Sequence, residues 1–150
     1  MNWSPGSASR VLLAGDETAV PAISAVLEAL PAHINGHAFL EVPEAADTFP
    51  LGTSSGVSIT WLERGTAARG VRLEQAVGKA LSRPSAQPGY AWVGAEAGTV
   101  RALRRCLAGA GLDPRTAELR GYWSLGRAGS GVNGIPVTAP DPGQGPQAGR

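Results

Sequence analysis

The chain predicts an α/β fold, a doubly wound and mainly parallel five-stranded sheet, and three observations carry that expectation. Residues 11–14 (VLLA) form an apolar run that breaks at Gly15, as a strand covered on both faces requires. Ile23, Val26, Leu27 and Leu30 then recur at helical spacing. The same alternation of strand-like and helix-like segments continues to about residue 122, and such alternation implies parallel pairing through right-handed crossovers.

Taken in order, the first strand meets its helix across the polar residues Asp16, Glu17 and Thr18. Thr18 is the expected cap, Pro21 sits in the first turn where a missing N–H costs little, and Pro31 closes the helix. Residues 37–42 (HAFLEV) and 57–62 (VSITWL) are rich in β-branched and aromatic residues and read as the next two strands. The connection between them is broken by Pro50 and Gly52, with a short helical turn expected near residues 45–47. Leu73, Val77, Ala80 and Leu81 mark a second helix, and residues 90–93 a fourth strand. Val100, Leu103 and Leu107 mark a third helix that ends at Gly109 and Gly111, with Arg101, Arg104 and Arg105 on its other face. A fifth strand is expected around residues 117–122. From residue 128 onward Gly, Pro, Ser and Gln dominate, which predicts a disordered tail over 128–150. The organisation expected is thus an extension over 1–10, one domain over 11–127, and the tail.

Composition narrows the function classes. At 150 residues and 43% hydrophobic, the chain is large enough to bury an ordinary core without a staple. Its single cysteine, Cys106, excludes an internal disulfide, and with only His33 and His37 beside it a Cys/His zinc site is not expected. A formal charge of +1 points away from nucleic acid and membrane surfaces. No apolar run approaches the roughly 20 residues of a membrane span, and the first ten residues lack a signal peptide's apolar core. A cytoplasmic location is the expectation.

In an open α/β sheet, ligands bind just beyond the carboxyl ends of the strands. Thr18 and the N–H groups of Ala19 and Val20 would there form an anion site on the positive end of a helix. The GxGxxG fingerprint is absent, and Asp16 and Glu17 either line the site or simply cap and solvate the turn. Arg64 offers a planar fork for a phosphate or is a solvated turn residue. Gly94 and Gly98 bracket Glu96, where close ligand approach or a tight turn would equally demand glycine, and Glu96 suits the third helix's dipole. Trp123 is placed to stack on a planar ring or to serve as a core aromatic. Cys106 reads as a small core residue. No metal site and no catalytic triad emerge, and no catalytic residue is assigned.

Five segments, LLAGDETAVPAI, HAFLEV, ITWLERG, YAWVGAEAGTVRALRRCL and LRGYWSLG, occur in an order that resembles the carboxyl-terminal domain of siderophore-interacting proteins. These are flavin- and NAD(P)H-dependent ferric-siderophore reductases of the ferredoxin-reductase-like superfamily. The resemblance covers about residues 11–127 and implies a Rossmann-like nucleotide-binding domain that delivers hydride to FAD, and thence electrons to the chelated ferric ion. It implies that Gly15, Asp16, Glu17, Thr18 and Ala19 line the nucleotide site, that Arg64 meets the adenosine 2′-phosphate and favours NADPH over NADH, and that Gly94, Glu96 and Trp123 lie near the nicotinamide and flavin edge. The ten residues before residue 11 hold no flavin barrel and no Arg-x-Tyr-Ser/Thr motif, so FAD is expected only through another domain or protein. After GYW the family often carries a basic residue. Here Ser124 stands, with Arg127 as the candidate replacement.

The reading is therefore a nicotinamide-nucleotide module that works with a flavin-binding partner and meets the ferric siderophore indirectly, with an exposed apolar face including Trp123. A stand-alone, non-catalytic binding or regulatory module of the same fold is the alternative, and a ligand-free remnant the third. A homodimer is compatible with all three.

Overall fold

A computed structural model describes residues 5–84 and 87–124. Five strands, β1 (Arg10–Gly15), β2 (Asn35–Val42), β3 (Gly56–Glu63), β4 (Tyr90–Glu96) and β5 (Ala117–Trp123), form one sheet in the order β3-β2-β1-β4-β5, every neighbouring pair parallel. Three helices connect them: α1 (Val20–Ala29), α2 (Val71–Leu81) and α3 (Ala97–Gly109). The β2 to β3 crossover carries only a short 3-10 turn, Ala45–Asp47, as its sequence suggested.

Strand alternation explains the two-sided core. Val11 and Leu13 of β1 join Leu40, Trp92 and the α1 residues Ile23, Val26 and Leu27 on one face. Leu12 and Ala14 join Phe39, Val93 and the apolar stripes of α2 and α3 on the other. Because both faces are covered, the central strands tolerate almost no polar residue. The Thr53 hydroxyl donates to the Leu27 carbonyl at 2.6 Å, pinning the helix-poor crossover to the end of α1.

Pro21 lies in the first turn of α1, as expected, but Thr18 is not its cap. A 3-10 turn, Glu17–Ala19, precedes the helix, and Asp16 caps that turn. Gly15 and Gly94, expected near a ligand, are both required by packing. A Cβ at Gly15 would lie 2.6 Å from the Ala19 Cβ and 2.8 Å from the Gly94 carbonyl oxygen, and one at Gly94 would lie 2.7 Å from the Trp92 ring. Backbone closeness here brings the turns after β1 and β4 together. Gly15→Ala is therefore expected to lower the unfolding free energy by about 1–3 kcal/mol, the range for overpacking, as read by urea denaturation.

Between β4 and β5 the register slips: Ala95 pairs with Gly121, yet Glu96 pairs with Trp123. The extra residue, Tyr122, lets Tyr122 and Trp123 both pack against the α1-side core. The tail expected over 128–150, and Arg127, lie outside the described residues.

Candidate functional site

In the order β3-β2-β1-β4-β5 the chain leaves β1 in opposite directions, so the switch point lies between the carboxyl ends of β1 and β4. Asp16 closes that point. Its Oδ1 accepts from the Thr18 N–H at 3.0 Å and from the Thr18 hydroxyl, while its Oδ2 accepts from the Glu96 N–H at 2.9 Å. The residue is fully buried. Burial pushes its carboxyl above the usual range, and Glu17 adds to that, against the hydrogen bonds from Thr18 and Glu96. Glu96 in turn caps α3, its Oε1 accepting from the Thr99 N–H at 3.1 Å. The dipole role read from the sequence for Glu96 thus takes the form of a buried cap.

Four charged groups adjoin this bridge. Arg64 donates from Nε to Glu41 at 3.1 Å and from Nη2 to Glu17 at 2.7 Å. Arg69 donates from Nη1 to both Glu17 oxygens at 3.0 Å, and the same nitrogen lies 3.7 Å from Asp16 Oδ2. Its guanidinium also covers the Trp123 ring, 4.5 Å from the ring centre. Glu41, fully buried, accepts from the Gly70 N–H at the start of α2 at 3.0 and 3.2 Å. Arg69 therefore spans the switch point, touching the turn after β1 on one side and the end of β5 on the other.

The placement revises several expectations. The anion site predicted at Ala19 and Val20 is not formed, because their N–H groups bond to the Asp16 and Glu17 carbonyls within the 3-10 turn. Gly15, Asp16, Ala19, Gly94 and Glu96 are buried. Glu17 and Trp123 are half-buried and Thr18 is exposed. Trp123 is not the exposed apolar face expected of it. Among the described residues the exposed large apolar side chains are Phe49 and Val71. Arg64, expected to grip a phosphate, has its fork engaged by two carboxylates. Burial alone would weaken its basicity, but Glu17 and Glu41 outweigh that and hold it charged.

Arg69 and Glu41 were missed. The signal for Glu41 was available: a carboxylate inside the otherwise apolar HAFLEV strand of a two-sided sheet must find a partner. Arg69 carried none, since its loop offers no pattern. Cys106 packs against the α2–α3 core as expected, its thiol pushed up by burial. Among the described residues no group of His, Cys, Asp and Glu could hold a metal ion.

Glu17 and Asp16 give opposite pH dependences. Burial would raise the Glu17 carboxyl, but hydrogen bonds from Arg64, from its own backbone and from Arg69 outweigh it and hold it below the ordinary value. Its contribution to stability is therefore complete above the ordinary carboxylate pKa and is lost as pH falls toward the folded value. Glu17→Gln is expected to flatten the acid limb of a melting-temperature profile; an unchanged limb would remove Glu17 from the network.

The fold is an open, all-parallel α/β domain with aromatic and guanidinium groups at the carboxyl ends of the strands. The family model for siderophore-interacting proteins matches residues 8–126, and the chain belongs to that family. It is similar to the crystal structure of a siderophore utilization protein from T. fusca, with a TM-score of 0.71 and 35% identity over 82% of this chain and 48% of that one. It is likewise similar to the siderophore-interacting protein SipS from Aeromonas hydrophila, with a TM-score of 0.70 and 33% identity over 82% and 49% of the two chains. The ferric vibriobactin reductase ViuB of Vibrio cholerae is 34% identical over 96 residues, 64% of this chain and 35% of that protein. The chain thus spans half or less of the length of these relatives. Among the described residues no helix is long and apolar enough to cross a membrane.

Proposed function

We propose that this chain is the nicotinamide-nucleotide-binding module of a ferric-siderophore reductase, presenting NAD(P)H to a flavin carried by another domain or protein. The observation that carries it is the Arg69–Trp123 pair beside the switch point: a planar aromatic and a charged fork, one suited to a ring and the other to a phosphate. The Trp123 Nε1 supports the same reading, being a buried donor without a hydrogen-bond partner among the described residues. When bound, the nicotinamide supplies the hydride that a flavin accepts. The chain's own residues hold and orient. Glu17 fixes Arg69, Arg64 fixes Glu17, and the Asp16 bridge keeps the two turns at one separation.

The phosphate contact is assigned to Arg69 in preference to Arg64, because the Arg69 side chain is 21% exposed against 11% and is engaged by carboxylates through Nη1, whereas Arg64 is engaged through both Nε and Nη2. Calorimetric titration with NADPH, NADH and FAD separately tests the reading. NADPH binding without FAD binding is the expected result, and Arg69→Ala should weaken NADPH by about tenfold, one charge-assisted contact's worth. Failure of both nicotinamide nucleotides to bind would leave the non-catalytic module. The engaged N–H groups of Ala19 and Val20 favour that second reading, since they remove the usual pyrophosphate cradle from the first turn.

A further inference from the structure

At the opposite end of the sheet, where β1 and β2 begin and α2 ends, a cavity of about 290 Å³ opens to solvent. Its wall is apolar: Phe39 and Leu81 contribute, and the His37 ring lies parallel on Phe39 with centres 4.3 Å apart. The His37 Nε2 is 2.8 Å from the Thr60 hydroxyl, which holds the ring flat. Arg10, Lys79 and Arg83 also line it, and no carboxylate does among the described residues. None of these three side chains has an ion-pair partner among the described residues. Burial, and then Arg83, lower the basicity of His37, so the ring is a neutral surface near neutral pH.

Lys79 and Arg83 complement the dipole at the end of α2, which accounts for two of the cations. It does not account for Arg10, which arrives from β1. Three cations, two at the end of α2 and one from β1, around an apolar slot with no carboxylate in its described lining, form an arrangement that an anion would complete. The volume lies at the lower end for ligand pockets and fits one ring with a substituent.

We propose that this cavity binds a small flat apolar acid, the ring against His37 and Phe39 and the anionic group, carboxylate or phosphate, among Arg10, Lys79 and Arg83. The proposal stands apart from the nucleotide reading, because the two sites occupy opposite ends of the strands. Titration calorimetry of the chain with benzoate, phenyl phosphate and the neutral benzamide tests it. At least one acid is expected to saturate at one per chain in the millimolar range, with benzamide about tenfold weaker. The double variant Lys79→Gln/Arg83→Gln, at exposed positions, is expected to bind that acid about tenfold more weakly without a change in melting temperature. Ala80→Phe, which fills the cavity, is expected to abolish binding. The choice between benzoate and phenyl phosphate identifies the anion. Saturation by neither acid overturns the proposal, as does equal binding of benzamide or an unaltered affinity in the double variant.

Discussion

Glu41→Ala is expected to lower the unfolding free energy by about 3 kcal/mol, the lower end of the cost of removing one partner of a buried charge pair, since Arg64 keeps Glu17. The carboxylate is fully buried and serves two donors, the Arg64 guanidinium and the Gly70 N–H. Its removal leaves the Gly70 N–H unpaired and Arg64 with Glu17 alone, and it loosens the segment that carries Arg69. A melting temperature lower by roughly 10 °C is the corresponding observable for a domain of this size. Glu41→Gln keeps the shape and one acceptor but not the charge, so it should fall between the two. Glu41→Leu combined with Arg64→Met removes both charges and should recover part of the loss, since neither is then left alone. The Gly70 N–H remains unpaired in that variant, which is why recovery is partial. A single Glu41→Ala change within about 0.5 kcal/mol of the parent would mean that Glu41 is solvated.

The sheet was legible because burial on both faces writes itself into the sequence as apolar runs. Each of the five strands lies where such a run or a β-branched cluster predicts it, with the ends extended by one to three residues, and α3 ends at Gly109 as expected. The strand order was not legible, because nothing local distinguishes β4 beside β1 from β4 at an edge. The switch point was legible in the sequence, but the bonding of its residues was not. GDETA does mark the switch point, yet its residues bond one another: Thr18 donates to Asp16 where it was expected to cap α1, and the Ala19 N–H returns to the Asp16 carbonyl. Arg64 reads from the sequence as a phosphate fork or a solvated turn residue, without its carboxylate partners. Its partners lie 23 and 47 residues away, and only the pairing of β2 with β3, Val42 beside Glu63, brings Glu41 within reach. Arg69 depends on three separate elements at once, so no window of sequence contains its environment.

Asp16 is the residue through which fold and proposed function meet. Its two oxygens both accept, Oδ1 from Thr18 on its own turn and Oδ2 from the Glu96 N–H across the switch point. Asparagine matches the shape but has one acceptor, so Asp16→Asn must leave one of these buried amides facing an NH₂ donor. A cost of about 1–3 kcal/mol is expected for that unpaired group. Asp16→Ala loses both acceptors and should cost more. Because the damage is local, amide hydrogen exchange should quicken at Thr18 or Glu96 while the β2 amides stay protected. Burial raises the Asp16 pKa, so its own contribution to stability declines as pH rises from the ordinary carboxylate value through the folded one; Asp16→Asn should abolish that decline. NADPH affinity is expected to fall about tenfold in the same variant although Asp16 is buried, because the separation of the two turns sets where Glu17 holds Arg69. Unchanged exchange at both amides would show that Asp16 does not hold the turns together, and unchanged NADPH affinity with faster exchange would place the nucleotide away from the switch point.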